Sequence, residues 1–254
     1  MILATPYSGK IVGVLGLGAS GGAAVASLAA AGAQVLMWDD SPNAQSIAAA
    51  QHANVKAVPP EQWPWDKLAA MVLSPGIPFT HPVPNAAVLM AKAAGCPVIG
   101  DVEVLYQSCP KATYVGITGT NGKSTTTTLI GHILTQAGRA PQVGGNLGTA
   151  ALALSPLGAG GVYVLEMSSY QLDLLQSMRF HVAVHLNLSE DHIDRHGSME
   201  GYFAAKQHIF DRQGPEDVAV IGVDDAWGKR LVASRQSPVA SRMVAISSEK
   251  ATDG

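Results

Sequence analysis

Tyr114-Val-Gly-Ile-Thr-Gly-Thr-Asn-Gly-Lys-Ser-Thr-Thr-Thr127 decides how this chain reads. An apolar run, 113–117, has the make-up of a strand. A helical stretch, 123–137, comes after it, with Gly138 just beyond. Between them lies a glycine turn. Strand, glycine turn and helix together aim backbone N–H groups and the positive end of a helix dipole at an anion. Gly122-Lys123-Ser124 ends the turn as a phosphate loop does. The general spacing G-x-x-x-x-G-K-[ST] would need glycine at 117, where Ile117 stands; the glycines are Gly116 and Gly119. Lys123 is placed to reach the β/γ-phosphates and Ser124 to ligate Mg2+. The competing reading is a turn that binds nothing.

Working outward, apolar runs alternate with alanine-rich helical stretches on both sides of this turn. Before it, the pattern predicts strands at 11–15, 34–38, 69–73 and 97–99, with helices at 21–31, 43–51 and 85–94. Another helix opens at Gly-Asp-Val-Glu (100–103), with Asp101 as its N-cap. After the turn, strands are expected at 161–166, 182–187, 217–223 and 243–246, and helices at 199–210 and 226–233. This βαβα rhythm makes the chain α/β with parallel sheets. Two domains are expected, 1–101 and 102–254. The first is a Rossmann-like parallel-sheet domain and the second a P-loop-type α/β domain. The series breaks off soon after a strand, which reads as a second domain incomplete at its C-terminal end.

The bulk numbers narrow the class. Hydrophobic residues make up 47% of the 254 and charged residues 14%, enough apolar surface for a substantial core. A net charge of −3 without a basic segment argues against a nucleic-acid surface. Two cysteines, Cys96 and Cys109, form no disulfide framework and suit a reducing cytoplasm. The N-terminus lacks a secretory signal pattern, and the apolar run 23–38 is too short to span a bilayer.

Other segments carry chemistry whose meaning is open when each is read alone. Glu166, closing the apolar run Val164-Leu-Glu, is a metal-binding carboxylate or a helix-capping acid. Asp191, His192, Asp194 and His196 form a metal cluster or a polar loop; His181 and His185 lie too far apart on a strand to share an ion and read as structural. Gln142-Val-Gly-Gly-Asn-Leu-Gly148 says only loop. Lys206, on the amphipathic stretch 201–210, is by default a solvated helix lysine. Near the N-terminus, Gly16-Leu-Gly-Ala-Ser-Gly21 with Asp39 fits a dinucleotide fingerprint, so these residues alone favour an NAD-binding domain. Ser74-Pro-Gly-Ile-Pro78 lies at the end of a further strand, on the ligand side of such a sheet.

Read together, these segments resemble the Mur ligases, with the folylpolyglutamate synthetases as relatives. Thr118-Gly-Thr-Asn-Gly-Lys-Ser124 resembles the family's ATP loop, so Thr120, Asn121, Gly122, Lys123, Ser124, Thr125 and Thr126 are its expected ATP contacts. The resemblance implies two Mg2+ ions, one held by Ser124 and Glu166, the other by His192 and Lys206. It also implies that Lys206 is carbamylated by CO2, and that Lys123, His192 and Lys206 are the catalytic residues. Asn146 and His192 would touch substrate, Asp191 lying beside the latter. In the first domain the resemblance assigns a UDP-sugar site. Gly18, Ala19 and Ser20 would meet the diphosphate and Asp39 and Asp40 the uridine, with Ser74, Pro75 and Gly76 lining the pocket.

As a whole, the resemblance implies a cytoplasmic, monomeric ligase of peptidoglycan synthesis. It would join D-glutamate to UDP-N-acetylmuramoyl-L-alanine at the expense of ATP, through an acyl phosphate. The family's third, C-terminal ligase domain has no counterpart here, so these residues are expected not to turn over alone. Other readings are another ligase of the family, a folylpolyglutamate synthetase, an NAD(P)-dependent oxidoreductase, or a non-catalytic nucleotide-binding or metal-binding module.

Overall fold

The computed structural model describes residues 1–146, 148–234, 241–249 and 252. In chain order its elements are β1 (Ile11–Leu15), α1 (Ala19–Ala30), β2 (Gln34–Trp38), α2 (Pro42–Gln51), β3 (Val55–Ala57), β4 (Leu68–Leu73), α3 (Ala86–Ala93), β5 (Val98–Ile99) and α4 (Asp101–Ser108). Next come β6 (Thr113–Thr118), α5 (Lys123–Gln136), β7 (Gln142–Gly145), β8 (Val162–Glu166), α6 (Ser169–Leu172), β9 (Val182–His185), α7 (Ile193–His196), α8 (Met199–Gln207), β10 (Val218–Gly222), α9 (Ala226–Ser234) and β11 (Arg242–Ile246). Among the described residues the strands make two sheets, ordered β3-β2-β1-β4-β5 and β11-β10-β9-β6-β8-β7, with every pairing parallel. The α/β expectation holds, and for its stated reason: strands buried on both faces need helical crossovers to stay parallel.

The order of each sheet locates its ligand crevice. In the first, the chain leaves β1 toward β2 and β3, then returns across β1 to β4 and β5. The strand order therefore reverses beside β1, which puts the Gly16–Gly21 turn at a topological switch point. In the second, β6 lies between β8 and β9, so the Thr118–Ser124 turn again leaves a central strand at its carboxyl end.

The chain packs as two compact units, 1–110 with 149–156 and 174–176, and the remainder. The first unit runs past the boundary expected near 101, since α4 packs within it. Two later segments return to it. Ile2 N donates to Leu152 O at 2.9 Å, and Gln176 N donates to Glu103 Oε2 at 3.0 Å. Its core joins Leu15, Met71 and Leu73 from the sheet to Val88 and Ala91 from α3. In the second unit Val115, Ile117, Val164 and Val184 form one buried face of the sheet, against Ile130 and Leu134 of α5. Side chains alternate along a strand. Tyr114, Thr118 and His185 therefore belong to the opposite face, where α8 supplies Lys206.

Three local readings are corrected. Gly100, not Asp101, is the N-cap of α4; Asp101 is the first helical residue, and its Oδ1 accepts from Val102 N at 3.0 Å. Strand β3 has only three residues, two of them exposed, so it carries too little pattern to see. The stretch 142–145, read as loop, is edge strand β7 paired with β8 from Gln142↔Tyr163 to Gly145↔Glu166. Its two glycines hid it, because glycine in a strand normally signals a turn.

Candidate functional site

In the first unit, β1 ends at Leu15 and α1 begins at Ala19, with Gly18 as its N-cap. Gly18 and Ala19 are exposed at the helix N-terminus, and Ser20 lies in the first turn. Asp39 closes this loop. Its Oδ2 accepts from Leu17 N at 2.6 Å and its Oδ1 from Ser41 N at 2.8 Å. From β4, Ser74 Oγ donates to Gly16 O at 2.9 Å. Helix and strand ends approach so closely that a Cβ on Gly21 would lie 1.8 Å from Gly16 O. Asp40 and Gly76 are exposed and Pro75 is half-buried. The structure thus brings Gly18, Ala19, Ser20, Asp39 and Ser74 around one turn, with acidic side chains as the only formal charges among the residues named for it.

In the second unit the glycine turn is tied at several points. Gly122, with φ 83°, turns the chain into α5, and no side chain caps that helix. The backbone N–H groups of the first turn are thereby left for an outside acceptor. From the end of β9, Asn187 braces the loop on both sides. Its O accepts from Thr120 N at 3.0 Å, its Oδ1 from Asn121 N at 2.9 Å, and its Nδ2 donates to Asn121 O at 3.1 Å. Lys123 Nζ folds back to donate to Gly119 O at 3.0 Å and Thr120 O at 2.9 Å. Ser124 and Thr125 are exposed, and Thr126 is half-buried in the next turn of α5.

Glu166 ends β8 almost wholly buried. Its Oε2 accepts from Ser124 Oγ at 2.7 Å and its Oε1 from Asn146 Nδ2 at 2.7 Å. Asn146 itself donates its N–H to Glu166 O at 2.9 Å, an extension of the β7–β8 ladder. Among the described residues no lysine or arginine pairs with this carboxylate. A buried carboxylate without a cation is costly. The carboxylate oxygens of Glu166 and the Ser124 hydroxyl are oxygen ligands of the kind that suits a hard ion such as Mg2+.

Lys206 is not the solvated lysine of its default reading. It is 2% exposed, and its Nζ donates to Thr118 Oγ1 at 3.2 Å and Gly119 O at 3.0 Å. Burial, then the nearby Lys123 charge, pulls its pKa down to about 7. His192 sits in the left-handed region, φ 52° and ψ 28°, at the start of α7. Its N–H donates to Asp191 Oδ1 at 2.9 Å. His196 turns away, with Nε2 2.9 Å from Ser169 Oγ and Nδ1 3.7 Å from Asp173 Oδ2. Of Asp191, His192, Asp194 and His196 only the first two meet, Asp191 Oδ2 lying 3.4 Å from His192 Nε2, and among the described residues no group of three or more His, Cys, Asp or Glu could hold a metal ion. His181 is structural: its Nδ1 accepts from Tyr114 N at 3.1 Å.

Residues 117–253 match a family model described as Mur ligase middle domain, more than half of the chain. The chain belongs to the Mur ligase family. It is 48% identical over 237 residues to a UDP-N-acetylmuramoylalanine–D-glutamate ligase from Caulobacter sp. (strain K31), covering 91% of this chain and 50% of that protein. The chain spans about half the length of the curated relatives it matches. Among solved structures it is similar to the UDP-N-acetylmuramate:L-alanyl-gamma-D-glutamyl-meso-diaminopimelate ligase of Neisseria meningitides. That likeness has a TM-score of 0.59 and 17% identity, covering 93% of this chain and 77% of the other. It is also similar to the MurF ligase of Thermotoga maritima in complex with ADP, at a TM-score of 0.51 and 17% identity over 98% of this chain and 50% of the other. Both likenesses speak to fold.

Within this Mur ligase chain, four residues at the site escaped the sequence reading. Thr118 receives Lys206. Asn187 braces the loop. Tyr202 stands 3.4 Å from Thr120 Oγ1, lies under Lys206 Nζ at 4.7 Å and meets the His192 ring edge-on at 6.0 Å. Tyr170 also packs on His192, ring centroids 5.1 Å apart and tilted by 55°. Asn187 alone left a signal, as a polar residue closing an apolar strand. Thr118 and Lys206 lie 88 positions apart, Tyr202 and Thr120 82, and Tyr170 and His192 22, so these contacts leave no local signal.

Proposed function

We propose that this chain is the nucleotide-binding part of a cytoplasmic ligase that adds D-glutamate to UDP-N-acetylmuramoyl-L-alanine in peptidoglycan synthesis. Family membership and the 48% identity to a ligase of that name support the reading. The observation that carries it is the Glu166 carboxylate, bridged to Ser124 and Asn146 beneath a helix N-terminus that presents Lys123. An NAD(P)-dependent oxidoreductase would leave that arrangement without purpose.

The proposed chemistry rests on charge. ATP would lie on the uncapped N-terminus of α5, its phosphates on the N–H groups from Gly122 to Thr125, with Thr120, Asn121 and Thr126 shaping the loop through their own backbone bonds. Lys123 would exchange its two loop carbonyls for phosphate oxygens. Ser124 and Glu166 would hold Mg2+, and His192 with carbamylated Lys206 would hold a second. Such ions neutralise charge on a transferring phosphoryl group. Lys206 must be a neutral amine to react with CO2, and burial beside Lys123 favours that form. The carboxylate of UDP-N-acetylmuramoyl-L-alanine, held by Asn146 and His192, would attack the γ-phosphorus and expel ADP. The amine of D-glutamate would then attack the acyl phosphate carbon and expel phosphate. In the first domain, 1–101, the N–H groups at Gly18–Ser20 would take the UDP diphosphate, with Asp39, Asp40, Ser74, Pro75 and Gly76 around the nucleoside.

Calorimetry of Mg·ATP binding to this chain tests the reading. Lys123→Ala should weaken binding roughly 30-fold, the loss of about 2 kcal/mol of charge-assisted hydrogen bonding. Glu166→Gln should weaken it only when Mg2+ is present. Equal affinity in all three proteins would exclude the site.

A further inference from the structure

His185 is the least explained polar residue of the second unit. It ends β9, is 0% exposed, and neither ring nitrogen has a hydrogen-bond partner among the described residues. Burial, then the Lys206 charge, lowers its pKa to about 4, so the ring is neutral and carries one N–H. A buried N–H without an acceptor costs free energy, and a satisfied core would not keep it.

Its surroundings say what is missing. His185 pairs in register with Thr118 across the parallel β6–β9 ladder, so both side chains stand on one face of the sheet. Thr118 Oγ1 is the atom to which Lys206 Nζ donates, and Lys123 and Lys206 share the carbonyl of Gly119. Three basic groups, His185, Lys206 and Lys123, thus gather behind the loop. The nearby acids are turned to other tasks. Asp225 accepts from Leu188 N at 2.9 Å and Gly228 N at 2.7 Å, and Asp191 accepts from His192 N. What the pocket lacks is an anion with hydrogen-bond acceptors on this face.

We propose that His185 is a positioning residue that donates its ring N–H to a carbamate on Lys206, holding one carbamate oxygen and leaving the other for the metal. The inference rests on the carbamylation of Lys206 set out above. In that step the neutral Nζ attacks the carbon of dissolved CO2 and a C–N bond forms. One C=O π pair moves onto oxygen, and one N–H proton leaves to solvent. The product is an anion where a neutral amine stood, and it supplies the acceptor that the imidazole lacks.

13C NMR of the 254-residue chain, titrated with 13CO2, tests this without turnover. Wild type should show a carbamate signal that Lys206→Met abolishes. His185→Leu should need about tenfold more CO2 for half-saturation, equivalent to ~1.4 kcal/mol. His185→Gln, which keeps an N–H, should stay near wild type. Equal CO2 dependence of wild type and His185→Leu would overturn the role of His185 while leaving the carbamate in place. No carbamate in wild type would overturn both. If His185→Leu does not fold, wild type labelled with 15N-histidine gives the answer: CO2 should shift the His185 ring resonances, and unmoved resonances would overturn the proposal.

Discussion

The turn after β1 and the turn after β6 share a backbone plan and differ in how they treat charge. Each leaves a central parallel strand, passes through glycines and enters a helix whose N-cap is glycine. The first is locked by a carboxylate, Asp39, which already accepts the Leu17 N–H, and by the hydroxyl of Ser74. Among the residues named for it none carries a positive charge, so it offers an anion backbone amides and hydroxyls. The second is braced by a neutral amide, Asn187, and surrounded by Lys123, Lys206 and Glu166. On the proposed function, the first turn would seat a charge that does not change, and the second would set a cation and a carboxylate beside a reacting phosphate. One glycine motif therefore says where an anion can sit, and the neighbouring side chains say what can be done to it.

The comparison breaks first at Gly21. Alanine there would drive a Cβ into Gly16 O, whereas a Cβ on Gly122 would meet only Leu186 Cδ1 at 3.5 Å, an ordinary contact, so the left-handed φ is its main constraint. Gly21→Ala should cost about 3 kcal/mol or more in urea unfolding of the first unit. Gly122→Ala should cost about 1–2 kcal/mol, the penalty of a left-handed residue with a Cβ. A larger loss at Gly122 would reverse the contrast between a sterically closed turn and a conformationally set one.

Lys206 sharpens it next. Unfolded, its amine keeps the proton to near the usual lysine value; folded, it loses it near 7. Between these limits the unfolded chain binds more protons, so stability rises with pH through that window. In CO2-free buffer the wild type should gain about 2 kcal/mol from pH 7 to pH 9 relative to Lys206→Met. Parallel pH profiles would show that Lys206 carries no buried charge penalty. The first turn, with no buried lysine, should add nothing to this slope.

The smallest effect belongs to Asp39→Asn. It removes the charge while keeping one carbonyl oxygen for Leu17 N, and should lower stability by about 1 kcal/mol. If the turn instead selects anions through backbone amides, removing this negative charge should tighten UDP binding severalfold, read by calorimetry. Weaker UDP binding would make Asp39 a ligand contact before a lock.

The sequence made the parallel α/β plan legible because buried strands and their crossover helices repeat over many residues. It missed β3 and β7, one too short to show alternation, the other ending in two glycines. Of the candidate site, Lys123, Ser124 and Glu166 could be read locally, since a turn and a strand end announce themselves. Asp101 was misread by one position because cap and first helical residue favour the same side chains.

By itself the sequence determined the fold class, the two glycine turns and the family whose loop spacing puts Ile117 where the general motif needs glycine. Only the tertiary structure decided that Lys206 is buried on Thr118, that Tyr202 bridges the loop to His192, that His196 turns to Ser169, and that His185 stands across the ladder with no partner for its N–H. The reason is distance along the chain. A motif records what neighbours in sequence do, while parallel register and helix packing join residues separated by crossovers, and the desolvation that shifts a lysine exists only once those surfaces close over it.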